Sequence, residues 1–263
     1  MQDKLKFAIR YLNYFIKSKY YYGHGIHSPF IYKFARKVLF TRKKNPELKK
    51  IDKIFKNYKK NKNHVFIEDF GAGSKVLKAK SRKISEIAKS SSSRKKYGKL
   101  LFRITEYFKI KNAIEIGTSL GIGSLYIGIS KKVNLHTIEG DKSLYETAKA
   151  TFENLNLTNI NIYKGKFEDV LPLLLKKIDT LDFVYFDGNH TSTATLNYFH
   201  QCLDKVHNES IFIFDDIHWS EDMEHAWEQI KAHPKVRVSI DLFQIGIVFF
   251  RRELSKEHYI IRY

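Results

Sequence analysis

The sequence predicts an α/β protein built on an open, mostly parallel sheet. Three observations carry this. Apolar runs end in acidic residues, glycine-rich or polar turns follow them directly, and stretches of helical periodicity lie between them. The run Ala113-Ile114-Glu115-Ile116 leads into the turn Gly117-Thr118-Ser119-Leu120-Gly121-Ile122-Gly123-Ser124, and residues 125–129 can begin a helix. A strand, a glycine turn and a helix start in that order make a βα unit of the kind that receives phosphates or nucleotides.

The second strand is predicted over residues 133–138, with Glu139 at its carboxyl end, 22 positions after Gly117. An acid at about that distance can accept both ribose hydroxyls of an adenosine. The turn departs from G-x-G-x-x-G spacing, and Glu115 stands just before it. A carboxylate there repels a pyrophosphate but pairs with a cationic amino group. This favours S-adenosylmethionine over a dinucleotide.

Two later apolar runs also end in acids. Residues 181–186 lead to Asp187, and residues 211–214 lead to Asp215-Asp216. The carboxyl ends of parallel strands share one edge of a sheet, so these three carboxylates are expected to converge. Such a set needs a cation, and all-oxygen ligation suits Mg²⁺ or a similar divalent ion. Asp215 and Asp216 also read as solvated loop acids or a helix cap.

On these residues the chain resembles the class I S-adenosylmethionine-dependent methyltransferases. Within them it is similar to the metal-dependent O-methyltransferases of the catechol/caffeoyl-CoA and macrolide-sugar types, over roughly residues 91–252. The resemblance implies a Rossmann-like seven-stranded sheet with an antiparallel last strand. It implies cofactor contacts from Glu115, Gly117, Thr118, Ser119, Gly121, Glu139, Gly140, Phe167, Glu168 and Asp187. It implies metal ligation by Asp187, Asp215 and Asp216, and places Ser92-Ser93 and Tyr97-Gly98-Lys99 beside the methionine end of the cofactor. His190, three residues after Asp187, occupies the position of the family's base, where the catechol type has Lys. An imidazole titrates near neutrality and can take a hydroxyl proton. His218, two residues past Asp216, competes for the same role or for ligation.

Residues 65–74 imitate the strand, acid and glycine loop, but no second strand with a terminal acid follows at about 20 residues. They are rejected as the cofactor loop. Residues 236–242 and 245–250 read as a hairpin joined by Phe243-Gln244, which supplies the antiparallel strand. Residues 221–231 read as a helix with Met223, Trp227 and Ile230 inward, and Cys202 as a small core residue.

The N-terminal part reads as helices over residues 4–17, 29–40 and 47–60. Ser28 caps and Pro29 opens the second of these. Between the first two, Gly23-His24-Gly25-Ile26-His27-Ser28-Pro29-Phe30 reads as a tight turn that packs on the sheet or covers the site. Residues 1–90 are expected to form a basic helical extension, and residues 91–263 the catalytic domain. Residues 1–100 hold 28 Lys and Arg against 6 Asp and Glu, a net charge of +22; the remainder is −3. Such a module suggests an anionic partner: RNA, an acidic lipid surface or a phosphorylated substrate. Yet 37 of the 47 basic residues are Lys, whereas bidentate phosphate readers favour Arg.

One cysteine excludes an internal disulfide framework and agrees with a cytoplasmic, reducing compartment. No apolar run reaches about 18 residues, so no membrane span is expected. The reading is therefore metal-assisted O-methylation of a small-molecule hydroxyl, by a monomer or homodimer. The alternatives are an RNA-modifying methyltransferase of the same fold, and a non-catalytic adenosylmethionine- or RNA-binding module.

Overall fold

The computed structural model describes residues 2–41, 45–67, 81–90 and 95–263. The glycine stretch of the rejected loop, with Glu68 and Asp69, and Ser92-Ser93 lie outside the described residues. The chain forms two compact units. Unit one comprises Met1–Arg42, Thr180–Phe186 and His190–Tyr263; unit two comprises Lys43–Asp179 and Asp187–Asn189.

Unit one opens with helix α1 (Gln2–Lys17) and α2 (Pro29–Phe34), the latter continuing into a wider turn over Ala35–Leu39. Unit two follows with α3 (Glu47–Tyr58), the short strands β1 (His64–Phe66) and β2 (Ser81–Lys83), α4 (Ile84–Ser90) and α5 (Lys95–Tyr107). It then alternates β3 (Asn112–Ile116), α6 (Ile122–Gly128), β4 (Asn134–Glu139), α7 (Lys142–Asn154), β5 (Ile160–Lys164) and α8 (Phe167–Lys177). Unit one resumes with β6 (Leu181–Phe186), α9 (Ser192–Cys202), β7 (Val206–Asp215), α10 (Glu221–Ala232), β8 (Val238–Asp241), β9 (Ile245–Phe249) and β10 (Glu257–Ile260).

In unit two, β3 pairs parallel with β4 and β4 with β5, so Glu115 lies opposite Thr137. Strand β3 is buried along most of its length and α6 along all of it, as their unbroken apolar runs require. Tight helix packing explains Gly98 on α5: a Cβ there would sit 2.2 Å from the Tyr126 ring. The glycine expected beside the cofactor's methionine end also allows this close contact between α5 and α6. The β1–β2 hairpin is separate from the β3–β4–β5 ladder.

In unit one, β6 and β7 are parallel, β9 runs antiparallel to both β7 and β8, and β10 lies parallel to β8. The predicted hairpin is present. The strand count is corrected from seven to eight in the main ladders. The additional strand, β10, has only Tyr259 buried of its four residues, so it lacked the apolar alternation that marks a strand. Aromatic rings fill this core: Phe186 stacks on Phe214 at 4.4 Å, and Trp227, Phe199 and Cys202 are buried against the same strands.

Helix α1 is fixed to unit one by one face. The ring of Phe7 meets Phe243 at 5.2 Å and Trp219 at 6.1 Å, and the Tyr14 hydroxyl donates to the Ile261 carbonyl at 2.5 Å. Arg10 pairs with Glu224 at 2.9 Å, and Lys6 with Glu221 at 3.1 Å. The glycine- and histidine-rich segment leads into α2 on the same unit. Phe30 and Phe34 present edges to Phe249 at 5.2 and 5.3 Å, while His24 and His27 are exposed.

Candidate active site

All ten residues expected to hold the cofactor belong to unit two. The turn after β3 is left-handed at Gly117 (φ 102°), Ser119 (φ 50°) and Gly121 (φ 78°). Gly117 is required sterically: a Cβ would approach the Asp187 carbonyl oxygen to 2.3 Å. The Asp187 N–H also donates to the Ile116 carbonyl at 2.9 Å, so the 187–189 segment lies against the start of the turn. Glu139, at the end of β4, accepts from the Ser119 N–H at 2.7 Å and from the Asp141 N–H at 2.9 Å. Burial raises its pKa, and those backbone donors partly oppose the rise.

The next loop joins the same cluster. The Gly165 N–H donates to the Glu139 carbonyl at 3.0 Å. Phe167, at the start of α8, lays its ring against Gly188, where a Cβ would come within 2.6 Å. Glu168 beside it is exposed. The glycine turn, Glu139 with Gly140, Phe167 with Glu168, and Asp187 are thus brought together along the carboxyl ends of β3, β4 and β5.

Glu115 and Thr118 have a different place from the one expected of direct contacts. Glu115 is fully buried and accepts from the Ser124 hydroxyl and, at 2.7 Å, from that of Thr137. Thr118 is also buried, with its hydroxyl 2.6 Å from Thr137. Alternation along β3 turns Glu115 into the interior beneath the turn. Desolvation raises its pKa to about 7, although both hydroxyls oppose the shift, and its Oε1 has no hydrogen-bond partner among the described residues. Sequence reasoning missed Ser124 and Thr137. The signal was present, since two hydroxyl residues faced a strand acid that would otherwise lack donors.

Unit one carries the other chemical group. Asp215 accepts from the Tyr185 hydroxyl at 3.1 Å. Gln244 donates from one amide nitrogen to Asp215 at 3.4 Å and to Asp216, which is itself left-handed at φ 55°. His190 Nε2 is 4.0 Å from Asp216 Oδ2. Burial lowers the His190 pKa, with the Asp215 charge opposing, which favours the neutral ring that can accept a proton. His218 is held differently. Its Nδ1 lies 2.8 Å from Glu224 and its Nε2 2.8 Å from Asp241, so both nitrogens are engaged in holding structure. Gln244 was the other omission from the sequence reading, because nothing in a two-residue hairpin link marks it as a partner for acids.

Residues 114–217 match the family model described as a methyltransferase domain. The fold agrees with solved methyltransferases at low identity. An O-methyltransferase from Bacillus cereus, in complex with SAH, is 17% identical with a TM-score of 0.53, covering 80% of this chain and 93% of its own. The class I methyltransferase fold is present here. TomG of Streptomyces achromogenes, an O-methyltransferase of tomaymycin synthesis in complex with SAM, is 15% identical with a TM-score of 0.56, covering 84% of this chain and 95% of its own. The SAH-bound methyltransferase PaMTH1 of Podospora anserina is 13% identical with a TM-score of 0.54, covering 80% and 99%. No curated protein matches the sequence.

The matched methyltransferase segment begins at Ile114 in β3 and ends at Ile217, just past the Asp215-Asp216 pair. The Asp187, Asp215 and Asp216 donors are oxygens, which suits a hard cation. Among the described residues no group of three or more His, Cys, Asp or Glu is placed to hold a metal ion, and neutral donors from Tyr185 and Gln244 already serve the aspartate pair.

Proposed function

We propose that this S-adenosylmethionine-dependent methyltransferase methylates a hydroxyl oxygen of a small molecule. One observation carries the cofactor side. A glycine turn is tied by the Ser119 N–H to Glu139, with Phe167 and Asp187 packed beside it. In this reading Glu139 receives the ribose hydroxyls through the lone pairs its backbone donors leave available. Phe167 flanks the adenine. The buried Glu115 supports the turn, and its ionised form would be stabilised by a sulfonium ligand carrying an ammonium group but opposed by a pyrophosphate.

His190 takes the proton of the acceptor hydroxyl as the new O–C bond forms and the sulfur–methyl bond breaks. The displacement is in line, so holding the two reactants in place contributes more than covalent chemistry. A divalent ion on Asp187, Asp215 and Asp216 would lower the pKa of the hydroxyl. Support for that part rests on donor type alone. A cytoplasmic setting agrees with the single buried cysteine.

The test is calorimetric titration with S-adenosylhomocysteine, with and without Mg²⁺, followed by methyl-transfer assays on small phenols and on bulk tRNA. Micromolar binding together with transfer to a phenol supports the proposal. Absence of binding in both conditions overturns the cofactor reading, and transfer to tRNA alone overturns the acceptor.

A further inference from the structure

Helix α1 has two apolar faces, and the fold uses one. Phe7 and Tyr14 lie on the side that packs against Phe243, while the opposite side carries Leu5, Ile9, Leu12 and Ile16. These four follow the spacing of one helical stripe. They are 64%, 50%, 56% and 69% exposed, although nothing in the cofactor or acid chemistry above requires apolar side chains in water. Scattered exposed leucines are ordinary, but four aligned on one rigid helix form a contiguous patch.

The borders of the stripe are aromatic and cationic. Tyr11 and Phe15 are also exposed, and the Arg262 guanidinium lies 3.9 Å over the Phe15 ring. Lys17 and Lys19 are exposed at the carboxyl end of the helix. The whole chain carries +19. An aliphatic stripe with aromatic borders and lysines beside it is the composition of a helix lying in the plane of a lipid interface. Lysine in particular attracts anionic headgroups as a point charge and needs no bidentate geometry.

We propose that α1 docks unit one onto an anionic lipid surface, with Leu5, Ile9, Leu12 and Ile16 entering the headgroup region. The same spacing suits a helix of a second copy, but two observations disfavour that occupant. Each copy carries +19, so two copies repel. Four side chains on one helix are also a small share of the ~20–30 residues a side that a stable interface of roughly 800 Å² per partner uses. The ion pairs of Lys6 and Arg10 hold the helix in place without the stripe, so the patch is available while the fold stays intact.

Full-length protein would be floated with vesicles of phosphatidylglycerol and phosphatidylcholine, and with vesicles of phosphatidylcholine alone, at low and physiological salt. The wild-type chain should bind the anionic vesicles and not the neutral ones. The double variant Ile9→Ser/Ile16→Ser should lose about tenfold or more of that partitioning. Both positions are exposed, so its melting temperature and its S-adenosylhomocysteine binding should match wild type. Three results would overturn the proposal: no binding to anionic vesicles, binding that the variant retains in full, or a wild-type dimer in light scattering that the variant converts to monomer. Vesicle binding is read without turnover, so failure of the methylation assay leaves this result independent.

Discussion

Glu139 and Glu115 are two strand acids of one unit with opposite assignments. Glu139 holds the turn through the Ser119 amide, so Glu139→Ala should weaken S-adenosylhomocysteine binding tenfold or more by calorimetry, about 1.4 kcal/mol or above. Unchanged affinity would remove the cofactor assignment. Gly117→Ala should have a comparable effect, because its Cβ would meet the Asp187 carbonyl and its φ of 102° is strained for alanine. Glu115 sets a pH dependence. Its folded pKa is about 7 against 4.5 for the ordinary group, so between these values the folded state keeps a proton that the unfolded state releases. Stability of the ligand-free protein therefore falls as pH rises from about 4.5 to about 7, by up to roughly 3 kcal/mol. Glu115→Gln should flatten that segment of the melting-temperature profile. An unchanged slope in the variant would assign the dependence elsewhere.

At the scale of elements, α1 and α10 are joined through an acid they share with a histidine. Glu224 on α10 pairs with Arg10 of α1 and with His218, whose other nitrogen meets Asp241 at the end of β8. Burial pushes the His218 pKa down, but the two carboxylates outweigh it and hold the group above the usual imidazole value. The sign follows directly. The stabilisation is complete below the unfolded imidazole pKa and is lost as pH rises through the folded value. Limited proteolysis of α1 should accelerate across that upper range in wild type, and His218→Gln should remove the pH dependence. The elements themselves were legible in the sequence where periodicity was strong. The β3 turn, α10 and the β8–β9 hairpin fall where apolar spacing and turn residues placed them. Strand β10 was hidden because it takes its partner from β8 at long range and buries a single side chain. The interior direction of Glu115 was hidden for a related reason, since one strand alone does not show which of its faces a helix covers.

Over the whole molecule, charge and chain order matter more than any one contact. The first 100 residues carry +22 and the remainder −3, so like charges repel within the N-terminal part. Raising KCl from about 20 to about 200 mM should raise the melting temperature by about 2–4 °C, as screening relieves that repulsion. A fall in melting temperature would show that attractive ion pairs such as Arg10–Glu224 dominate instead. Composition announced this asymmetry at once, but not the division into units, because unit one is gathered from three separated stretches of chain. That division bears on synthesis at the ribosome. Residues 43–179 emerge as one uninterrupted run and can begin folding as they appear. The Tyr14 hydroxyl must wait for an acceptor 247 positions later. Until then α1 stands with both apolar faces uncovered, which makes the nascent chain a substrate for holding chaperones.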